Sequence, residues 1–203
     1  MNTDAAIAEH CRDMIAAGAL FHSRGWVPAT GGNFSARLDE TRVLITASGH
    51  HKGELEAAHF LVAGLDGKPL EPGRKASYET LLHMQIYQRH ADARAVLHTH
   101  STANTVLSRR CESVLLTHYE LLKVLPGAPD PQSKVHIPVF ANDQDIARLS
   151  AAVDAHMAAV PETPAYLIAG HGLYAWGRSI AEARHRVEAI EFMLECHLRE
   201  LSL

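Results

Sequence analysis

The stretch that decides the fold is Ala95-Val96-Leu97-His98-Thr99-His100-Ser101. Its apolar start predicts a buried β-strand, which ends in two histidines with one residue between them. Because side chains alternate between the faces of a strand, His98 and His100 are expected to point the same way and Thr99 the other way. Two imidazoles on one face can bind a divalent metal ion, and zinc favours such nitrogen ligands. The stretch therefore predicts a core strand that carries part of a metal site.

A metal site needs at least one more ligand, and His171 in Ala169-Gly170-His171-Gly172 is the best candidate. It lies between two predicted strands, 165–169 and 173–176, so it also stands at a strand end. The spacing of His98 and His100 alone leaves a second interpretation open, in which one histidine packs in the core and the other meets water. The chain has 15 histidines, and most lie in helical patterns, where a solvated or capping position is the default.

Strand and helix patterns alternate along the rest of the chain. Helical periodicity predicts helices over residues 3–24, from Ser77 onward, over 119–124 and after Ser179, and Asn142 or Asp143 is expected to cap another. The alternation lacks strict βαβ regularity. It therefore predicts an α/β fold, a layered domain whose central, mostly antiparallel sheet is flanked by helices. No repeat, low-complexity tract or linker divides the sequence, which predicts a single domain over residues 1–203.

Composition excludes several classes of protein. The chain has 203 residues, of which 47% are hydrophobic and 21% charged, as in an ordinary soluble globular protein. A formal charge of −4 provides no basic surface for nucleic acid, and no stretch is apolar enough to span a bilayer. Three widely separated cysteines do not suggest a disulfide framework. We therefore expect a cytoplasmic protein with no nucleic-acid or membrane partner.

Three segments rich in small and hydroxyl residues form a candidate anion site. They contain Gly32 and Asn33, Ser48 and Gly49, and Ser77 at a predicted helix start, where free N–H groups favour an anion. Lys52 or Arg74 could add positive charge. Together these loops predict a site for a phosphate group, although each loop alone can also be explained as an ordinary turn.

Two carboxylates are candidates for proton transfer. Glu79 lies in the first turn of the helix predicted from Ser77, and Glu120 follows Thr117-His118-Tyr119 at a predicted strand-to-helix junction. At both positions the helix dipole alone is enough to favour an acidic residue. The catalytic and the structural interpretations of both residues therefore stay open at this point.

Taken together, these stretches resemble the class II aldolase family, whose members include zinc-dependent sugar-phosphate aldolases, epimerases and the adducin head domain. The resemblance covers nearly the whole chain. It rests on Gly32-Asn33-Phe34-Ser35, Thr46-Ala47-Ser48-Gly49, Glu79, His98-Thr99-His100 and His171-Gly172. Within the family the likeness is greatest to dehydratases of a ketose 1-phosphate. That likeness rests on Arg24 to Thr30, Thr117-His118-Tyr119-Glu120, Tyr174 to Gly177 and the C-terminal helix.

The resemblance implies a role for each candidate. His98, His100 and His171 would bind one zinc ion per subunit, and Glu120 would be the catalytic acid/base. The small-residue loops, with Ser77 and Glu79 beside them, would receive a sugar phosphate. The resemblance also implies a homotetramer with active sites near subunit interfaces.

Two alternatives to a dehydratase remain. Glu79 stands where the aldolases of the family carry their catalytic carboxylate, whereas some dehydratases have a cysteine there, so retro-aldol cleavage is the second enzymatic hypothesis. A non-catalytic binding module like the adducin head is the third, and the three retained histidines argue against it.

Overall fold

The computed structural model describes residues 3–201 and contains eight strands. They are β1 (Asn33–Arg37), β2 (Arg42–Thr46), β3 (Phe60–Gly64), β4 (Ala95–Thr99), β5 (Ser113–Leu116), β6 (Val135–Phe140), β7 (Ala165–Ile168) and β8 (Gly172–Gly177). They form one sheet in the order β3-β2-β1-β4-β8-β7-β6-β5. Every neighbouring pair is antiparallel except β6 and β7, which are parallel. The predicted α/β fold with a mostly antiparallel sheet is confirmed.

Strand β4 lies in the middle of the sheet, and all five of its residues are buried. It pairs with β1 and β8, which places His98 opposite Asn33 on one side and opposite Tyr174 on the other. A run of apolar residues is stable here because helices cover both faces of the strand. The sequence places its two histidines at the end of this buried element.

The helices form a layer on each face of the sheet. They are α1 (Thr3–Ser23), α2 (Thr80–Arg89), α3 (Thr102–Leu107), α4 (Ile146–Ala159) and α5 (Ile180–Glu200). Helices α1, α3 and α5 pack on the face that carries Leu97, whereas α2 and α4 pack on the face that carries Val96. Within residues 3–201, no helix is both long and apolar enough to cross a membrane.

The alternation of β4 assigns its polar residues to these two layers. His98 shares the face of Val96 and is directed toward the α2 side, and Thr99 is directed toward α5, where it hydrogen-bonds Glu191. The two faces of one strand therefore support two different polar networks.

Two predicted helix starts were wrong. Helix α2 begins at Thr80 and not at Ser77, because the Ser77 carbonyl accepts hydrogen bonds from the Thr80 N–H (3.2 Å) and hydroxyl (2.6 Å) in a preceding turn. Helix α4 begins at Ile146 and is capped by Asp145, which accepts a hydrogen bond from the backbone of Arg148. The predicted helix at 119–124 is a short 3-10 helix, Glu120–Val124.

Candidate metal centre

Three histidines and one carboxylate converge beyond the end of β4. His98 Nε2 lies 2.7 Å from His100 Nε2 and 3.2 Å from His171 Nε2. Glu79 joins them, with Oε1 2.7 Å from His171 Nε2 and Oε2 3.4 Å from His98 Nε2. One ligand atom from each of the four residues lies within 4.8 Å of all the others. The structure thus brings together the three predicted histidine ligands and adds Glu79 to them.

The orientation of His98 is fixed from two directions. Its Nδ1 donates a hydrogen bond to the Leu173 carbonyl at 2.8 Å, so the lone pair lies on Nε2 and faces the cluster. The imidazole stacks on the Tyr174 ring with the centroids 3.9 Å apart. A histidine held in this tautomer is ready to act as a metal ligand.

His171 lies in the tight turn between β7 and β8. Gly170 adopts a positive φ of 64° in that turn. A Cβ on Gly172 would lie 2.1 Å from the Thr99 carbonyl oxygen, so only glycine permits this approach of β8 to β4. The two glycines that flank His171 in the sequence therefore place its ring beside His98 and His100.

The electrostatics favour neutral imidazoles beside an ionised carboxylate. Burial lowers the pKa of His98 well below its ordinary value, and burial together with His171 lowers that of His100 to about 4. Burial opposes ionisation of Glu79, but the hydrogen bonds that it accepts from His171 and Asn33 outweigh burial and hold its pKa well below the usual range. Neutral imidazole and ionised carboxylate are the forms that bind metal ions.

The donor set fits a divalent metal ion. Tetrahedral zinc with ligands at its usual distances separates neighbouring donor atoms by roughly 3.3 Å. Four pairs of these nitrogen and oxygen atoms are 2.7 to 3.4 Å apart, close to that value, and all four ligand atoms lie within 4.8 Å of one another. The cluster could therefore bind a metal ion, and its three nitrogens with one oxygen suit zinc.

The loops predicted to bind phosphate lie close to this cluster. Gly32 has a φ of 78°, and a Cβ there would come within 2.7 Å of the His98 carbonyl oxygen. The buried Lys52 joins two of the loops, because its ammonium donates hydrogen bonds to the carbonyls of Thr30 (2.9 Å) and His50 (2.6 Å). Burial lowers the pKa of Lys52 to about 8, although Glu79 acts to raise it. A positive charge thus lies between the two loops.

The third loop is attached to the second. Ala47 and Ala76 form a β-bridge, and the Ser48 N–H donates a hydrogen bond to the Lys75 carbonyl at 3.1 Å. Gly49 has a φ of 86°. Ser77 therefore belongs to the same group of loops as Ser48, although it does not cap α2. Binding of phosphate by Gly32, Asn33, Ser48, Gly49 and Ser77 stays a prediction.

A cavity of about 270 Å³ opens directly beside the cluster. Its polar lining residues include Tyr78, Glu79, His100, Asn142, Gln144 and His171. The Tyr78 hydroxyl donates to the Gln144 carbonyl at 2.5 Å, which connects the segment before α2 to the segment before α4. Sequence patterns gave no reason to place Asn142 and Gln144 at the site.

Glu120, the predicted acid/base, does not lie in the cluster of its own chain. It is exposed at the start of the 3-10 helix, with a side-chain exposure of 73%, and pairs with Lys123 at 2.5 Å. That helix packs against α5. The catalytic role of Glu120 stays a prediction.

Sequence reasoning missed the residues that hold Glu79 in place. Asn33 Nδ2 donates to Glu79 Oε2 at 2.5 Å, and the Tyr174 hydroxyl donates to the same oxygen at 3.0 Å. Behind Asn33 lies His83, which is fully buried on α2. A histidine on the buried face of a helix was the available signal, but it was hidden among 15 histidines.

The fold and the site together define an α/β protein with a three-histidine, one-carboxylate site that could bind a metal ion. The family model described as Class II Aldolase and Adducin N-terminal domain matches residues 12–198. The chain therefore belongs to the class II aldolase and adducin family, as the resemblance implied.

Named relatives and solved structures agree with this placement. The chain is 50% identical over 194 residues to methylthioribulose-1-phosphate dehydratase of Pseudomonas aeruginosa, and the matched residues cover 95% of each protein. It is 46% identical over 197 residues to the enzyme of the same name from Methylococcus capsulatus, which covers 97% of this chain and 96% of that one. The fold matches L-fuculose-1-phosphate aldolase from Thermus thermophilus with a TM-score of 0.78 and 26% identity over 96% of each chain. A sugar-phosphate aldolase from Thermotoga maritima, with a TM-score of 0.70, 23% identity and 97% of each chain covered, supports the fold alone.

Proposed function

We propose that this chain is a zinc-dependent hydro-lyase, a methylthioribulose-1-phosphate dehydratase. It converts 5-methylthioribulose 1-phosphate to 5-methylthio-2,3-dioxopentyl phosphate and water, a step of methionine salvage. The observation that carries the proposal is 50% identity to an enzyme of that name over 95% of the chain. The convergence of His98, His100, His171 and Glu79 supports it, because it supplies a metal site to such an enzyme.

His98, His100 and His171 would hold one zinc ion per subunit, with Glu79 within reach of the same position. When bound, zinc supplies a Lewis acid that polarises the substrate carbonyl and stabilises the negative charge formed as C3 loses its proton. The backbone N–H groups and hydroxyls of the loops at Gly32, Ser48 and Ser77 would orient the phosphate.

Glu120 is the proposed acid/base. It takes the C3 proton and returns a proton to the hydroxyl at C4, which leaves as water, and the resulting enol then becomes the diketone. Because Glu120 is exposed and lies outside the cluster of its own chain, we propose that it reaches the site of a neighbouring subunit. The proposed assembly is a cytoplasmic homotetramer of single-domain subunits over residues 1–203.

The proposal is tested by incubating zinc-loaded protein with 5-methylthioribulose 1-phosphate and identifying the products by mass spectrometry. Loss of one water to a diketone phosphate is expected, as is loss of activity after metal chelation and its recovery with zinc. Unchanged substrate in the presence of bound zinc would overturn the proposal, and a chain that binds no zinc would point to an adducin-like binding module.

The role of Glu120 is tested by subunit exchange. Glu120→Gln is expected to keep the metal and lose turnover, whereas His98→Ala loses both. If Glu120 acts across an interface, mixing these two inactive variants under conditions that exchange subunits restores some activity, since hybrid tetramers contain complete sites. A mixture that exchanges subunits and stays inactive would place Glu120 in its own subunit or outside the reaction.

Retro-aldol cleavage is the second candidate, and the position of Glu79 favours it. The carboxylate lies against His171 and His98, within reach of a substrate bound there. An aldolase would break the C3–C4 bond and release dihydroxyacetone phosphate and a methylthio aldehyde. The same mass-spectrometric experiment distinguishes these products from the diketone.

A further inference from the structure

A chain of buried polar side chains runs from Glu79 into the core between β1 and α2. Asn33 hydrogen-bonds Glu79, and its amide oxygen contacts His83 Nε2. His83 Nδ1 lies 2.7 Å from Ser35 Oγ, which lies 2.8 Å from the Tyr87 hydroxyl. The four residues behind Glu79 are at most 3% exposed. Such a network is costly to bury unless each member is satisfied, so its persistence in a core requires an explanation.

The chemistry of the groups allows only one direction of donation along this chain. The ionised Glu79 accepts hydrogen bonds only, so Asn33 must direct its NH₂ group toward it. The amide oxygen of Asn33 then faces His83, and His83 must carry its proton on Nε2.

The remaining links follow from that tautomer. Burial lowers the pKa of His83 to about 3, although Glu79 acts to raise it, so the ring is neutral and Nδ1 carries a lone pair. Ser35 must donate its hydroxyl proton to Nδ1, and Tyr87 must donate to Ser35. Every hydrogen bond in this series of buried side chains is thus donated in the direction of Glu79.

We infer that His83 is a positioning residue for the metal centre. Its Nε2–H group fixes which way the Asn33 amide faces, and Asn33 in turn holds the Glu79 carboxylate against His171 and His98. Without a donor at His83, the Asn33 amide can rotate and present its oxygen to Glu79, which repels the carboxylate from the cluster. His83 lies behind Asn33 and does not belong to the four-residue cluster, so it acts through Asn33 and not on the substrate.

The first test measures the tautomer of His83 in the metal-free parent protein by nitrogen-15 NMR of the histidine rings. The signal is assigned by its loss in a His83 variant. The inference requires the neutral Nε2–H form of His83. An Nδ1–H form would reverse the direction of the hydrogen bonds between Tyr87 and Asn33 and would overturn the inference. Because this measurement uses neither substrate nor metal, it is independent of the proposed function and of any unstable variant.

The second test compares two substitutions that differ in which ring nitrogen they imitate. In His83→Gln the side-chain amide can place a donor near the position of Nε2, whereas His83→Asn reaches only the position of Nδ1. We expect His83→Asn to weaken zinc binding and to lower kcat by about 10- to 100-fold each, as is usual for partners behind a metal ligand. We expect His83→Gln to recover most of both losses.

The matched control is Gln85→Met on the same helix. Gln85 is also buried, but it contacts Asp154 and Met157 on α4 and does not face the cluster. The Gln85→Met substitution should change the thermal stability of the protein without changing its zinc affinity. Zinc affinity and kcat of His83→Asn equal to those of the parent would overturn the inference, as would equal losses in His83→Asn and His83→Gln.

The inference rests on the proposed function only where it concerns kcat. A protein that shows the Nε2–H tautomer and the expected loss of zinc affinity, yet does not dehydrate the substrate, would refute the proposed function and leave the role of His83 intact.

Discussion

Glu79 and Glu191 lie on opposite faces of β4. Their surroundings favour the ionised form of Glu79 and the protonated form of Glu191. Glu79, on the α2 side, has a pKa well below the ordinary range of a glutamate, so it is ionised. Burial raises the pKa of Glu191, on α5, to about 7, although hydrogen bonds from Ser101, Thr99 and Asn104 act to lower it. One strand thus separates a charged carboxylate from a carboxyl group that keeps its proton up to neutral pH.

The difference comes from the type of neighbour and not from burial alone. Glu79 receives hydrogen bonds from Asn33, Tyr174 and His171 and lies beside several imidazoles. Glu191 has neutral hydroxyl and amide neighbours, Thr99 and Asn104, and an acidic one, Glu195, which raises its pKa further. Carboxyl groups whose environments separate their pKa values commonly have separate tasks. Here Glu79 belongs to the metal centre, and Glu191 ties β4 to α5 and α3.

The largest expected effect comes from replacing each of the two glutamates in turn with glutamine, which should impair activity only at Glu79. Glu79→Gln replaces the only anion of the cluster with an amide and places an NH₂ or a neutral oxygen against three donors. We expect kcat/KM to fall by about 10³-fold, or about 4 kcal/mol, with weaker zinc binding measured by chelator competition.

Glu191→Gln is the matched control, because an amide resembles the protonated carboxyl group in shape and hydrogen bonding. It should keep turnover close to that of the parent at neutral pH. Equal losses of kcat/KM in the two variants would mean that the difference in charge state between Glu79 and Glu191 does not matter to activity.

The sequence was sufficient to predict β4 and to predict that His98, His100 and His171 lie close together, because each of these signals is local. A strand pattern that ends in His98 and His100, and a histidine between two glycines, can be recognised within a few residues. The mostly antiparallel sheet also followed from the spacing of the strand and helix patterns. The order of the eight strands did not, since it depends on which strands pair across long separations.

The support of Glu79 could not be predicted, because its donors come from distant elements. Asn33 is 46 positions away on β1, and Tyr174 is 95 positions away on β8. The sequence instead suggested that Ser77 capped α2, and it assigned Asn33 to phosphate binding, which stays a prediction. The turn at Ser77 moves the helix start to Thr80, which leaves the Glu79 side chain free to turn toward the histidines.

The second effect concerns the pH dependence of stability at Glu191. Because its pKa is raised in the folded state, folding retains a proton that the unfolded chain releases, and the stability from this group is complete only below the unfolded pKa. That stability is lost as the pH rises toward about 7, and little changes above it. The free energy of unfolding should therefore fall by roughly 2 to 3 kcal/mol between about pH 5 and about pH 8 because of Glu191.

Denaturant titrations of the metal-free parent and of Glu191→Gln at both pH values isolate this contribution. The variant should lose less stability than the parent by that amount, since an amide does not titrate. Parallel pH profiles for the two proteins would show that Glu191 is ionised throughout and that the two faces of β4 do not differ in charge state.

The smallest effect tests whether a single donor matters to Glu79. Tyr174→Phe keeps the ring that stacks on His98 at 3.9 Å and removes only the hydroxyl that donates to Glu79 Oε2 at 3.0 Å. We expect kcat to fall by about tenfold, because one hydrogen bond to an ionised group contributes about 1.5 to 3 kcal/mol and the other donors partly compensate.

Tyr166→Phe is the control for this change. The Tyr166 ring stacks on Tyr174 at 4.9 Å, but its buried hydroxyl has no hydrogen-bond partner within residues 3–201. Removing that hydroxyl should leave kcat unchanged and maintain or raise stability, since it relieves an unsatisfied buried group. If both substitutions lower kcat equally, the loss does not come from the hydrogen bond to Glu79, and the ionised state of Glu79 then depends on Asn33 and the histidines alone.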